Sequence, residues 1–220
     1  FKRTSRFFAR HSSGKYQLDV QELRQAFLLS DTVEERIREF RLNRIMKISA
    51  GETPIILLDN PKVVLHLIPL SLSQSVKQLE ISKVPLLFHQ NDVANLHSQR
   101  FNLDGVVFYR SRQQQDPAGE YIQIFRDGSF EYLDAELCSP WSNGGEKIRD
   151  LPAVDFEREI MNTVLRALHF QKVLSVEPPM YVFLSLVGVK GLRMGTDART
   201  MSAYHNSGFD RHLVLLPELR

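Results

Sequence analysis

A chain of 220 residues, 43% hydrophobic and 25% charged, holds enough apolar side chains for one large domain, or for one domain and a fragment of another. Its formal net charge of +2 is too small to imply a nucleic-acid partner by itself, and its single cysteine, Cys138, excludes an intrachain disulfide and a zinc site built from paired thiolates. The longest apolar runs, such as residues 180–189, fall short of the roughly 20 residues a membrane span needs, and charges stand where a signal peptide requires an apolar core, so a cytoplasmic protein without membrane contact is expected.

Five basic residues, Lys2, Arg3, Arg6, Arg10 and Lys15, precede the first acid, Asp19. Within them, Arg6-Phe7-Phe8-Ala9-Arg10 has the aromatic content of a strand, ended by the turn-forming Ser12-Ser13-Gly14. Asp19 and Glu22 are spaced as a capping box, with Leu18 and Leu23 placed for a hydrophobic staple, and predict a helix over 20–28. Asp31 and Glu34 repeat the box for a second helix to about Ser49, stopped by Gly51 and Pro54. On that second helix Val33, Ile37, Phe40, Ile45 and Ile48 form an apolar arc, and Arg41 and Arg44 project inside it. Two roles suit such arginines: an ion pair with an acid on a neighbouring element, the commoner use, or contact with phosphate.

Residues 54–58 and 62–67, separated by Asp59-Asn60-Pro61, read as a hairpin whose second strand is apolar on both faces, with His66 inside as a hydrogen-bonded core residue. Three strands are expected over 105–110, 120–126 and 129–133, the last two joined by Asp127-Gly128 in a type I′ turn. The polar stretch 113–119 reads as a linker and 139–145 as a loop. Asp155 is placed to cap a long helix to about Leu174, with Phe156, Ile160, Val164 and Leu168 as its core stripe. Beyond Pro178-Pro179 an apolar strand over 181–187 reads as central, and strand, helix and strand in this order suggest a right-handed parallel crossover. A short strand over 212–216 ends the pattern. The sum is an α+β fold: a mixed sheet with one long helix and several shorter helices, preceded by a helical pair and a basic strand.

Catalytic signatures are missing. Neither G-x-S-x-G nor G-x-x-x-x-G-K-[ST] occurs. Gly188-Val-Lys-Gly191 matches the G-x-x-G of a backbone-clamping loop, but it follows an apolar strand and reads better as a turn. His205, Asp210 and His212 are the only clustered hard-metal ligands, in a segment without a helix to fix their geometry. No metal and no cofactor is therefore expected.

Phe7-Phe8-Ala9-Arg10-His11 followed by "DVQELRQAF", "ERIREFRLNRI", "GETPI" and "VVLHLIPLS" resembles the end of the Schlafen AlbA-like (second AlbA family) DNA-binding domain and the region after it in bacterial proteins. "DGVVFYRS", "IQIFRDGSFEYLDAEL", "FEREIMNTVLRAL" and "PPMYVFLSLVGVKGLRM" look like the C-terminal half of those proteins. The resemblance implies that 1–17 close an AlbA-like domain, that 18–50 are a helical connector and that 51–220 form a C-terminal α+β domain. It further implies a non-catalytic module that positions or oligomerises a DNA-binding half, with any nuclease acids of Schlafen relatives lying before Phe1. Contacts to DNA or RNA are expected from Arg6, Arg10, Lys15, Arg41 and Arg44, and self-association is a second expected partnership. Two other readings stay open: a protein-interaction or sensor domain, favoured by the near-neutral remainder of the chain, and part of a Schlafen-like nuclease.

Overall fold

Asp19 starts the first long element as the box predicts: its carboxylate accepts the Glu22 backbone N–H at 2.7 Å, and Glu22 accepts the Asp19 N–H at 2.9 Å. The helix that follows, α1 (Val20–Ser49), runs 30 residues without a break, about 45 Å at 1.5 Å per residue. The expected helical pair is thus one helix. Asp31 and Glu34 lie in its interior, because no glycine or proline separates the two halves and a capping pattern alone cannot interrupt a run of good helix formers. Gly51, at φ +78°, ends it in a Schellman motif, the Glu52 N–H bonding to Lys47 O at 2.9 Å and the Gly51 N–H to Ile48 O at 3.1 Å.

The computed structural model describes residues 8–11, 14–17, 19–70, 79–90, 96–111, 116–143, 146–148, 150–195 and 208–219. Ahead of α1 lies an antiparallel hairpin, β1 (Phe8–His11) and β2 (Gly14–Gln17). Behind it come β3 (Lys62–Pro69), a 3-10 turn (Ile81–Lys83), α2 (Val84–Gln90), β4 (Ser98–Phe101), β5 (Gly105–Arg110), β6 (Glu120–Phe125) and β7 (Phe130–Asp134). Then follow β8 (Trp141–Asn143), β9 (Glu146–Ile148), β10 (Asp150–Pro152), α3 (Ala153–Val173), β11 (Met180–Val187), β12 (Arg193–Gly195) and β13 (Leu213–Leu215). The fold is α+β. Seven strands make the main sheet in the order β13-β11-β3-β7-β6-β5-β4, every neighbouring pair antiparallel; among the described residues parallel pairing occurs between β10 and β12 and at the isolated Leu57–Ala118 bridge.

Several expectations shift in register or partner. Residues 54–58 do not pair with β3. The Asn60 amide bonds to Ala135 O and Ser139 Oγ, Ile56 and Leu58 exchange backbone bonds with Ala118, and β3 is left to pair with β11 and β7. The Asp127-Gly128 hairpin forms, but with a three-residue connection: Phe125 O accepts the Gly128 N–H, Ser129 O accepts the Phe125 N–H, and only Gly128 has positive φ, +87°. That is a type I turn with a glycine bulge, not type I′. Residues 141–143, expected in a loop, pair with 146–148. α3 leads into β11, which lies antiparallel between β3 and β13, so no parallel crossover exists in the main sheet. Gly188 and Gly191 belong to the turn that leaves β11.

Side chains alternate across the sheet. Val64, His66 and Ile68 on β3, Glu131 and Leu133 on β7, and Tyr181 and Phe183 on β11 face α1, whose Ile37, Ile45 and Ile48 are fully enclosed against them. One face of residues 33–48, within the span expected as a connector, thus packs into the core. Leu65, Leu67, Ile122, Phe130 and Tyr132 face the other way, where Ala167 and Phe170 of α3 cover them together with the 3-10 turn and α2. The result is a helix–sheet–helix sandwich. α3 begins at Ala153 after Pro152, so Asp155 lies inside the first turn rather than at the cap, where its charge still suits the helix dipole. Its buried residues are Thr163, Ala167, Phe170 and Gln171; Leu168, expected in the core stripe, is exposed.

Candidate functional site

The basic residues expected to bind nucleic acid divide into two structural groups. Arg10 and Lys15 stand directly opposite one another in the β1–β2 register, a pairing of like charges that disfavours the hairpin locally. Lys15 is exposed, its ammonium 4.5 Å from the centroid of the Phe8 ring, and Phe8 and Tyr16 are exposed as well. Cations interleaved with aromatic faces are the ingredients of a surface for phosphate and base. Arg6 lies outside the described residues.

Arg41 and Arg44 belong to neither hairpin nor surface. They are 8% and 7% exposed, which removes them from a phosphate-contacting face: Arg44 takes the ion-pair role, and Arg41 is held by neutral acceptors. The Arg44 guanidinium holds Glu131 through two bonds of 2.8 Å. Glu131 also meets His66 Nε2 at 2.9 Å and accepts the Tyr121 hydroxyl at 2.7 Å. Burial pushes the Glu131 carboxyl up, but the hydrogen bonds from Arg44 and His66 and their charges outweigh it and leave it at about 2. Burial pushes the Tyr121 phenol well up, with the Glu131 carboxylate adding to it. Arg41 donates to Ser185 Oγ at 3.0 and 3.2 Å, to Leu184 O at 2.8 Å and to Leu216 O at 3.1 Å, and lies over the Phe183 ring. Both arginines root α1 on the sheet. His66, fully buried, is the hydrogen-bonded core residue that the apolar strand predicts, with its Nδ1 left without a partner.

A second polar cluster lies on the opposite face. Tyr132 Oη is 3.0 Å from Asp134 Oδ2, 3.3 Å from Glu120 Oε2 and 3.3 Å from Glu159 Oε1 of α3. Two cations reach it: Arg110 pairs with Glu136 and stands 3.4 Å from Glu120, and Arg166 stands 3.6 Å from Glu159. Burial is the main cause that raises Glu120 to about 7; Asp134 adds to it and Arg110 opposes it. Burial also raises Asp134, against the N–H groups of Glu136 and Leu137 that its Oδ1 accepts. Beside the cluster opens a cleft of about 530 Å³ lined by Arg110, Ser111, Asp116 and Glu136. The arrangement can hold a proton near neutral pH. Sequence reading passed over it, although a signal existed: counting outward from Asp127 puts Glu120 opposite Asp134, two acids in facing positions of one hairpin.

Among the described residues no group of three His, Cys, Asp or Glu is placed to hold a metal ion. Asp210 is paired with Arg211, His212 is exposed, and His205 lies outside the described residues. Cys138 is buried, which pushes its thiol up to about 12. Among the described residues no helix is long and apolar enough to cross a membrane. Against protein-family models, curated proteins and solved structures, the chain finds no match.

Proposed function

We propose that this chain is the non-catalytic module of a cytoplasmic, nucleic-acid-associated protein, in which the helix–sheet–helix body holds α1 as a strut and α1 carries a basic hairpin that contacts phosphate. The observation that supports this reading is the hairpin: Arg10 and Lys15 are paired in register, and the Lys15 ammonium lies over the exposed ring of Phe8. Like charges held opposite one another are relieved by an anion, and nucleic-acid phosphate is the anion that aromatic neighbours also suit. The resemblance of 7–11 and the following segments to the Schlafen AlbA-like region argues for the same partner class.

The test is a salt titration of duplex binding. Each phosphate contact contributes about 0.9 to the slope of log K against log salt, so Arg6→Ala/Arg10→Ala/Lys15→Ala flattens it by up to about 2.7. Such contacts position without reading bases, so the loss is equal on unrelated sequences. Arg41→Ala/Arg44→Ala lowers stability and leaves the slope of the folded fraction unchanged. No binding by the parent chain at low salt, or an intact slope in the triple variant, ends the nucleic-acid reading.

A further inference from the structure

We propose that the outer face of α3 is a self-association surface, on which a second copy of this chain lays its own α3 antiparallel. The inference does not depend on the nucleic-acid reading. Val154, Met161, Leu165 and Leu168 are 67%, 65%, 63% and 42% exposed, although they are large apolar residues on one helix. With Arg158 and Lys172 they occupy positions 154, 158, 161, 165, 168 and 172, a 4-3-4-3-4 spacing that lines up as one seam on a helix. The seam lies opposite the buried Thr163, Ala167 and Phe170, so the helix is apolar on two sides, and one of them is uncovered.

The seam complements itself only in one direction. In an antiparallel pair, Met161 meets Leu165 of the second copy, and the two-fold axis repeats that layer. The same register lays the stem of Arg158 over Leu168 and the stem of Lys172 over Val154, which leaves apolar layers at the centre and amphipathic side chains at both ends. Charge agrees. Glu157 is exposed in the first half of α3 and Lys172 in its last turn, whereas Arg158 is paired to Asp155 and Arg166 to Glu159 within the same helix. Antiparallel packing brings Glu157 of one copy within reach of Lys172 of the other and sets each helix N-terminus beside the partner's C-terminus, where the dipoles oppose and attract. Parallel packing brings like to like. A stable partner surface needs about 800 Å² on each side, more than one helix face supplies, so a dimer of modest affinity is expected.

Sedimentation across concentrations up to several hundred micromolar should show a reversible monomer–dimer equilibrium. Met161→Glu/Leu165→Glu should weaken it at least about a hundredfold, a tenfold loss for each central residue, while thermal unfolding of the monomer stays unchanged because both positions are exposed. Met161→Ser/Leu165→Ser gives the same readout without added charge. Orientation is read with a short bismaleimide, to which buried Cys138 is inert. A mixture of Val154→Cys and Lys172→Cys chains should cross-link, whereas Val154→Cys alone should not, its two copies lying about 27 Å apart along the helices. A parent chain that stays monomeric, a dimer that survives both double variants, or a Val154→Cys homodimer would overturn the proposal.

Discussion

Glu131 and Glu120 sit on adjacent strands of one sheet and point to opposite faces, and their carboxyls settle at about 2 and about 7. Depth does not explain the difference, since Glu131 is the more buried of the two. Partners do. Glu131 has a forked guanidinium, an imidazole and a phenol to itself, all aimed at its two oxygens. Glu120 shares the Tyr132 hydroxyl with Asp134 and Glu159, and shares Arg110 with Glu136. One face of the sandwich is closed by matched charge, and the other by crowded carboxyls, of which Glu120 is raised to about 7.

The largest effect should come from unmatching the first face. Arg44→Ala leaves the buried Glu131 without its guanidinium and should cost about 3–5 kcal/mol in urea unfolding. A loss under about 1 kcal/mol would mean that Glu131 is not an anion. Removing both partners is the sharper form: Arg44→Met/Glu131→Met should recover part of the loss, because the pair's attraction and its desolvation largely cancel while Tyr121 and His66 lose their shared acceptor.

The second face should respond to pH. Glu120 is raised in the folded state, so between its unfolded value of 4.5 and about 7 the unfolded chain ionises while the folded chain does not. Its contribution is therefore most favourable below pH 4.5 and is lost as pH rises through 7, by about 3 kcal/mol. Glu131 has the opposite sign: lowered to about 2, it contributes fully above pH 4.5 and loses that contribution as pH falls toward 2. Together they place a stability maximum near pH 5. Glu120→Gln should abolish most of the decline between pH 5 and 8 and make the protein more stable at pH 8; an unchanged decline would place the titrating group elsewhere.

The smallest effect separates the two stripes of α3. Leu168→Ala, on the outer seam, should change monomer stability by no more than about 0.5 kcal/mol. Phe170→Ala, two residues on and 2% exposed, removes a core ring and belongs with the large losses. Equal effects at 168 and 170 would rotate the helix.

Where a residue's role is set by its neighbours in sequence, it was legible. Asp19 and Glu22 bracket one turn, and the Asp127-Gly128 hairpin needs only its own backbone. The apolar run of β3 gave away a central strand with His66 inside it. Roles set by distant partners were not legible. Arg44 could be seen to need an acid, but 87 residues separate it from Glu131. α3 carries apolar residues on two stripes, 156–160–164 and 154–161–165–168, and spacing alone does not say which one faces the sheet. Residues 54–58 have the composition of a strand and lose their expected partner to a turn pinned by Asn60. Arg41 and Arg44 illustrate the same limit at the site: their place inside an apolar arc pointed to an internal partner, and phosphate contact stayed open until the packing of the helix was known.

The strand order has a kinetic side. β4 to β7 are neighbours in sequence and can zip together as they are made, whereas β3, buried along almost its whole length, waits for β7 on one edge and for β11, more than a hundred residues later, on the other. Until β11 arrives, the run Val63-Val64-Leu65-His66-Leu67-Ile68 offers a bare edge to any chain nearby. Refolding yield should therefore fall as concentration rises, and a nascent chain of this protein spends the synthesis of its second half as a natural client for chaperones.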